Sequence, residues 1–420
     1  MNYSKLLGWD SAVYLANARS HISDSNFSED FRFPLLELMI SVVWLVFGES
    51  VLIIKLLMII FSTLALFGFY LVSKEFMKTE FALLATIFLS LTYVFLYWSH
   101  RIYTDIPALC MVLFAIYFSF KYINGKVYSK KKIKSFDKYI YFVGVLTGLI
   151  FLIRYPSVLF IIPILLFLLK KDLKGLAKLS LAGMVVVLPW FVYNFVKYGN
   201  PLWSLIQQFQ RFLEYTSPEP MSILILFFIW NVSFIGLLFF FGYSKKKNYW
   251  IVFMILLINS AYYLFLVNLK LERYLLMIMP FFLIICFVGA ENIFKKVKMK
   301  NFFLASLILL IIILSIVSFS KTILQTHLEN TSPLIPAVEY VKNIPSDKTI
   351  VSNYFPLFGY YGNHKISSLW SDNLLHFTEY DYFIYFYERG KNSDFSVYNI
   401  TKIESYDDGY YFLDIYEFDK

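Results

Sequence analysis

Charge, cysteine and glycine-rich loops are what this sequence has least of. Only 16% of its residues are charged, against about 25% in an ordinary soluble domain, which excludes a chain surrounded by water along its whole length. Cysteine occurs twice, at Cys110 and Cys286, and both lie in apolar runs where they act as small hydrophobes. Neither a disulfide framework nor a thiol metal site follows. The opening MNYSKLLGWD has no apolar core of the kind a signal peptide needs. There is no phosphate-cradling glycine loop for a nucleotide and no internal repeat of the kind that marks many transporters. His364 and His376 stand without metal-ligand spacing and read as surface residues, so no cofactor is indicated, a divalent cation included.

What is present is apolar and aromatic. Hydrophobic residues make up 59% of the 420, aromatic ones 21%, and mean hydropathy is +0.62. Runs of the roughly 20 residues that cross about 30 Å of hydrocarbon recur through the first three quarters of the chain. In lipid they must be helices, because unpaired backbone groups are too costly there. The expected architecture is an all-α polytopic membrane bundle of about ten spans. They fall near 50–73, 79–98, 104–123, 139–155, 157–170, 177–195, 221–243, 249–268, 274–293 and 302–320. Pro156 makes Arg154-Tyr155-Pro156 a turn between the fourth and fifth. Residues 35–47, with Glu37 among them, are too short to cross and read as an interfacial or re-entrant helix.

After the last span the pattern changes to a small C-terminal α/β domain. Leu334, Val338 and Val341 form a helical stripe, and TIVSNY, DYFIYFY and YYFLDIY read as strands between Gly, Asn and Asp turns. The expected division is 1–49 as a first loop with interfacial helices, 50–320 as the transmembrane part and 321–420 as the α/β domain.

The net charge of +9 is topogenic rather than a nucleic-acid footprint. Residues 1–320 hold 30 Lys and Arg against 15 Asp and Glu, while residues 321–420 hold 8 against 14. Counted over alternate loops, one set carries 20 basic residues, almost all lysine, and the other 9. The lysine-rich set is therefore expected in the cytoplasm, with the first loop and the C-terminal domain outside a cell membrane. Every arginine of residues 1–320 falls in the outer set. Lysine suffices for orientation, whereas the planar fork of arginine suits bidentate contact with phosphate or carboxylate.

Ionisable groups outside the lysine-rich loops gather at the outer helix ends: Asp10, Arg19, Arg32, Lys55, Arg101, Asp105, Arg154, Glu272 and Arg273. The midplane is nearly free of charge, unlike a proton-coupled transporter. On a helix, Asp10, Tyr14 and Asn17 share one face, so Asp10 is a candidate general base; an N-cap aspartate is the structural alternative. Arg32 can equally be a headgroup anchor, and Thr104 or Asp105 can cap the third span. Arg273 before a span is expected to turn from lipid toward an anion.

Taken in order, GWDSAVYLANAR, RFPLLELMISVVWLVFGESVLIIKLL, YTDIPALCMVLFAIYF, PWFVYNFVKYGNPLW and ERYLLMIMP resemble the GT-C glycosyltransferases, in the PMT-like and aminoarabinose-transferase-like group. The resemblance implies a GT-C fold and transfer of a sugar from a dolichyl- or undecaprenyl-phosphate donor to an extracytoplasmic glycan, lipid or protein. It implies that Asp10 is the catalytic base, that Asp105 matches the acid opening a span, and that Tyr14, Arg32, Lys55, Arg101, Arg154, Arg273 and Tyr274 serve donor and phosphate. Ser11 stands where many relatives have a second acid, and Phe33-Pro34 where many have paired prolines. Relatives begin with a membrane helix ahead of the acidic loop, so eleven spans with a cytoplasmic start are expected of the native protein. A flippase for lipid-linked saccharides is the competing class, and a sensor with an extracytoplasmic domain the third.

Overall fold

The computed structural model describes residues 7–23, 28–128, 137–214, 231–268, 270–362, 364–368, 380–390 and 400–418, with residues 225, 226, 228 and 395. His376 and residues 221–224, 227, 229 and 230 of the span expected at 221–243 lie outside them. The chain divides into two compact units: Met1–Asp30, Glu37–Ser50 and Lys321–Lys420 form one, Phe31–Leu36 and Val51–Ser320 the other.

The helices in chain order are α1 (Trp9–Ser20), α2 (Leu35–Phe47), α3 (Val51–Lys74), α4 (Thr79–Leu91), α5 (Tyr93–Trp98), α6 (Asp105–Tyr122) and α7 (Asp137–Ile153). A 3-10 helix at Tyr155–Ile161 leads to α8 (Ile162–Lys171), α9 (Leu173–Tyr198) and α10 (Trp203–Glu214). A second 3-10 helix at Ser233–Phe241 precedes α11 (Tyr249–Ala261), α12 (Tyr274–Lys296), α13 (Lys300–Asn330), α14 (Leu334–Asn343) and α15 (Phe355–Tyr361).

Among the described residues six helices are long and apolar enough to cross a membrane: Val51–Lys74, Asp105–Lys126, Leu173–Tyr198, Tyr249–Leu266, Tyr274–Lys296 and Lys300–Asn343. The second, fourth and fifth expected spans are helical but short or interrupted. The second breaks at Thr92, whose extended backbone separates α4 from α5. The fourth is the 17-residue α7, and the fifth is divided between the 3-10 turn and the ten-residue α8. Pro156 and Pro163 each sit in the first turn of their helix, where a missing N–H costs nothing.

Helix α12 is the centre of the bundle: 89% of its apolar window is buried, against 22% for α9. Cys110 and Cys286 are both buried and free, as small core residues. Helices α7 and α9 approach through small residues, as membrane helices do. A Cβ on Gly144 would lie 2.3 Å from the Leu179 carbonyl oxygen, so only glycine allows this approach.

In the other unit a five-stranded sheet has the order β2-β1-β3-β5-β4, from β1 (Thr349–Ser352), β2 (Lys365–Ser368), β3 (Tyr382–Glu388), β4 (Ile400–Asp407) and β5 (Tyr411–Phe418). Strands β2, β1 and β3 run parallel, and β5 and β4 continue antiparallel. Val351, Phe383 and Phe418 make its buried cluster. The expected strands are β1, β3 and β5, and the stripe Leu334, Val338 and Val341 is the buried face of α14. Strands β2 and β4 escaped notice because KISS is short and ITKIESYD is mostly exposed. Asp414, buried in β5, accepts from Lys402 (2.7 Å), Ser405 (2.6 Å) and Tyr387 (2.9 Å). Burial works against its charge, but these donors outweigh it and hold the carboxyl below its usual range.

Candidate functional site

In the helical unit, the break between α7 and the following 3-10 helix decides the geometry. Arg154 leaves the helix at φ −160° and ψ 89°, and its carbonyl accepts from the Ser157 N–H at 2.9 Å. The side chain points inward: Nη1 lies 3.1 Å from Asp105 Oδ1, with Asp105 only 2% exposed. Thr104 is the N-cap of α6, as one of the two alternatives expected, with helical backbone and no side-chain capping bond. The Asp105 carboxylate is instead committed to an ion pair. Among the described residues, Arg154 Nε and both Asp105 oxygens make no aligned hydrogen bond, so this buried pair keeps capacity for a further polar partner.

Aromatic rings hold the cations. Arg154 lies 5.6 Å from the centre of the Tyr274 ring, and Tyr274 stacks on Tyr263 at 5.0 Å. Arg273, just before α12, faces the Tyr103 ring at 4.9 Å. Tyr103 meets Trp98 edge-on at 5.1 Å, and Arg101 faces the Tyr97 ring at 3.9 Å while donating Nε to the Tyr97 carbonyl at 3.1 Å. Asp105, Arg154, Arg273, Tyr274 and Arg101 thus join one ladder of guanidinium groups and rings, in which cation–π contact substitutes for water. Tyr263, Tyr103 and Trp98 are members that sequence reasoning missed, because tyrosine and tryptophan at helix ends read as an interfacial belt. An apolar cavity of about 290 Å³ adjoins the ladder, lined by Tyr263, Leu264, Leu275, Ile278 and Phe282 among others.

Two further expected members belong to the same unit. Arg32 is half-buried with its guanidinium 5.7 Å from the Phe31 ring, and Lys55 is half-buried near the start of α3. Lys270 donates Nζ to the carbonyls of Tyr263 (3.0 Å), Leu264 (2.9 Å) and Val267. It finishes the helical run that ends at Leu266, where the helix dipole favours a cation.

In the other unit, Gly8 is the N-cap of α1, which corrects the N-cap alternative for Asp10. Asp10 lies inside the first turn, half-buried, and Tyr14 is buried one turn on. Asn17, on the same face, is a structural clamp. It exchanges hydrogen bonds with the Glu29 backbone at 3.0 and 2.8 Å and donates to Glu37 at 2.7 Å, closing the first loop over α1. Trp9 meets Tyr354 and Phe355 edge-on at 5.2 and 5.0 Å. Arg19 grips the Glu49 carboxylate and donates to the Tyr360 carbonyl at 2.7 Å, so α1 is fastened to α15 at both ends. Burial raises the Tyr360 phenol above its ordinary range, with Glu49 adding to the rise and Arg19 opposing it. His364 is not a surface residue: it is 2% exposed and its Nε2 meets the Val341 carbonyl at 3.0 Å.

Residues 32–195 match the family model described as dolichyl-phosphate-mannose-protein mannosyltransferase. Among solved structures, ArnT from Cupriavidus metallidurans bound to undecaprenyl phosphate superposes with a TM-score of 0.67 at 11% identity, over 98% of this chain and 94% of that one. The archaeal oligosaccharyltransferase AglB from Archaeoglobus fulgidus, in complex with an inhibitory peptide and a dolichol-phosphate, gives 0.62 at 13%, over 90% of this chain and 65% of that one. No curated protein matches the chain. The likeness read from the ordered motifs thus extends to the fold, which is that of the GT-C proteins.

Proposed function

We propose that the chain is a membrane glycosyltransferase that moves a sugar from a polyprenyl-phosphate donor to an extracytoplasmic glycan, lipid or protein. The observation that carries this reading is the meeting of buried guanidinium groups with an apolar cavity. Arg154 and its neighbours offer forked donors for a phosphate, and the cavity beside Tyr263 offers a wall for an isoprenoid chain. The family match and the fold shared with proteins solved with undecaprenyl phosphate and dolichol-phosphate support the same donor class.

In the reaction we infer, Asp10 takes the proton of an acceptor hydroxyl as its oxygen attacks the anomeric carbon. The bond from that carbon to the phosphate oxygen breaks, the electron pair leaves with the polyprenyl phosphate, and configuration inverts. Arg154 and Arg273 stabilise the charge growing on the leaving phosphate, with Arg101 at the far end of the ladder. Asp105 acts through Arg154 and is a positioning residue. Tyr14, Arg32 and Lys55 complete the donor side, and the segment 321–420 shapes the acceptor side through its hold on α1.

The test is transfer from a labelled polyprenyl-phosphate sugar in membranes holding the full chain. Asp10→Asn is expected to lower the rate by about 10²–10⁴, the usual worth of a general base, and to leave binding of polyprenyl phosphate intact. Undiminished transfer by the variant would remove Asp10 from the reaction. No transfer by the wild type with any donor would favour the flippase.

A further inference from the structure

Five lysines from three of the orientation-setting loops meet at the end of α12 remote from Arg273. A cavity of about 810 Å³ there is lined by Lys78, Lys245, Lys246, Lys295 and Lys296, with Glu291 as its carboxylate. Glu291 is already satisfied, by Lys295 at 2.6 Å and by the Lys78 backbone N–H at 2.8 Å. Lys246 donates to the Glu75 carbonyl at 2.6 Å. Among the described residues no carboxylate pairs with the ammonium groups of Lys78, Lys245 or Lys296. Orientation alone needs lysines in the loops, and does not require three unneutralised ones around a single walled space.

One part of the wall is tied down by hydrogen bonds and carries aromatic rings. Asn292 donates to the carbonyls of Phe241 (2.9 Å) and Tyr243 (2.7 Å), and the Tyr249 hydroxyl donates to Gly242 at 2.6 Å. A Cβ on Gly242 would lie 2.3 Å from the Ile285 carbonyl, so this segment is pressed onto α12. On it Phe240, Phe241 and Tyr243 are 83%, 55% and 68% exposed, beside the cations. A soluble phosphate would use the ammonium groups alone. An amphiphile uses the rings as well.

We propose that this cavity binds an anionic glycerophospholipid, its phosphate held by Lys78, Lys245 and Lys296 and its acyl chains laid along Phe240 and Phe241. The full-length protein in neutral detergent is titrated with phosphatidylglycerol, phosphatidylcholine and glycerol 3-phosphate, with bound species counted by native mass spectrometry. Phosphatidylglycerol is expected to bind, the other two to fail at the same concentration. Removing a lysine that meets an anionic lipid is worth about fivefold in affinity. Lys245→Gln and Lys296→Gln should each show that loss, and the triple change with Lys78→Gln more than tenfold. The exposed set Lys170→Gln, Lys171→Gln and Lys174→Gln should change affinity less than twofold. Equal loss in both sets would reduce the effect to general charge and overturn the site. So would equal binding of phosphatidylcholine, and glycerol 3-phosphate binding as tightly as phosphatidylglycerol would overturn the lipid.

Discussion

The two ends of α12 use positive charge in opposite ways. At its start, Arg273 joins Arg154 and Arg101 among tyrosine and tryptophan rings, and Asp105 beneath them is almost wholly buried. At its finish, Lys295 and Lys296 are exposed, and Lys295 reaches Glu291 through a side chain 55% open to its surroundings. Arginine is weakly hydrated and flat, so it can be stacked and desolvated; lysine keeps its shell of water and acts as a point charge. One end is therefore built for geometry and the other for field.

That contrast is broken most directly at Arg154. Arg154→Met strands a buried carboxylate, a change that costs on the order of 3–5 kcal/mol, and transfer is expected to fall by more than about 10². Pairing it with Asp105→Asn should restore thermal stability in detergent and leave transfer lost, which separates folding from phosphate handling. If the double variant transfers normally, the arginine end is structural only.

Arg273→Lys keeps the charge and removes the fork. About tenfold weaker use of the donor is expected, as for loss of one charge-assisted hydrogen bond, read as a rise in KM with kcat less affected. An unchanged KM would mean that field alone suffices at this end too.

A carboxylate of the other unit calibrates these changes. Asp414 has its folded value lowered by Lys402, Ser405 and Tyr387, so its contribution to stability is complete above the ordinary carboxylate range and is lost as pH falls through that lowered value. Unfolding free energy should hold steady from pH 7 to about 5 and drop below about 4, and Asp414→Asn should flatten part of that acid slope. A slope unchanged by the substitution would show that the donors contribute nothing. The smallest effect belongs to Lys295→Gln: the lysine is 55% exposed, and the buried Glu291 keeps the Lys78 backbone N–H, so the loss is about 1 kcal/mol or less and the melting temperature should move by a few degrees at most.

Both ends were legible in the sequence to different depths. The lysine end was visible as a count, since topology depends on how many basic residues a loop holds and not on where they point. The arginine end was visible as a list, because arginine at a helix end in lipid demands a partner. Which residues meet was not readable. Asp105 and Arg154 stand 49 residues apart in the sequence, and their ion pair at 3.1 Å forms because the kink before Pro156 brings Arg154 in. Asn17 looked like a companion of Asp10, and only the fold reveals that Glu29 and Glu37 use it as a clamp. His364 read as exposed because nothing local signals that Val341 lies over it.

The account depends above all on the arginine end taking the phosphate of a polyprenyl carrier. Titration of the purified full-length protein with undecaprenyl phosphate, comparing wild type with Arg154→Lys and with Lys170→Gln/Lys171→Gln/Lys174→Gln, measures this directly. The account predicts at least tenfold weaker binding for Arg154→Lys, since one charge-assisted bond of about 1.5–3 kcal/mol is lost, and no change for the lysine set. Equal affinity in Arg154→Lys and wild type would contradict it.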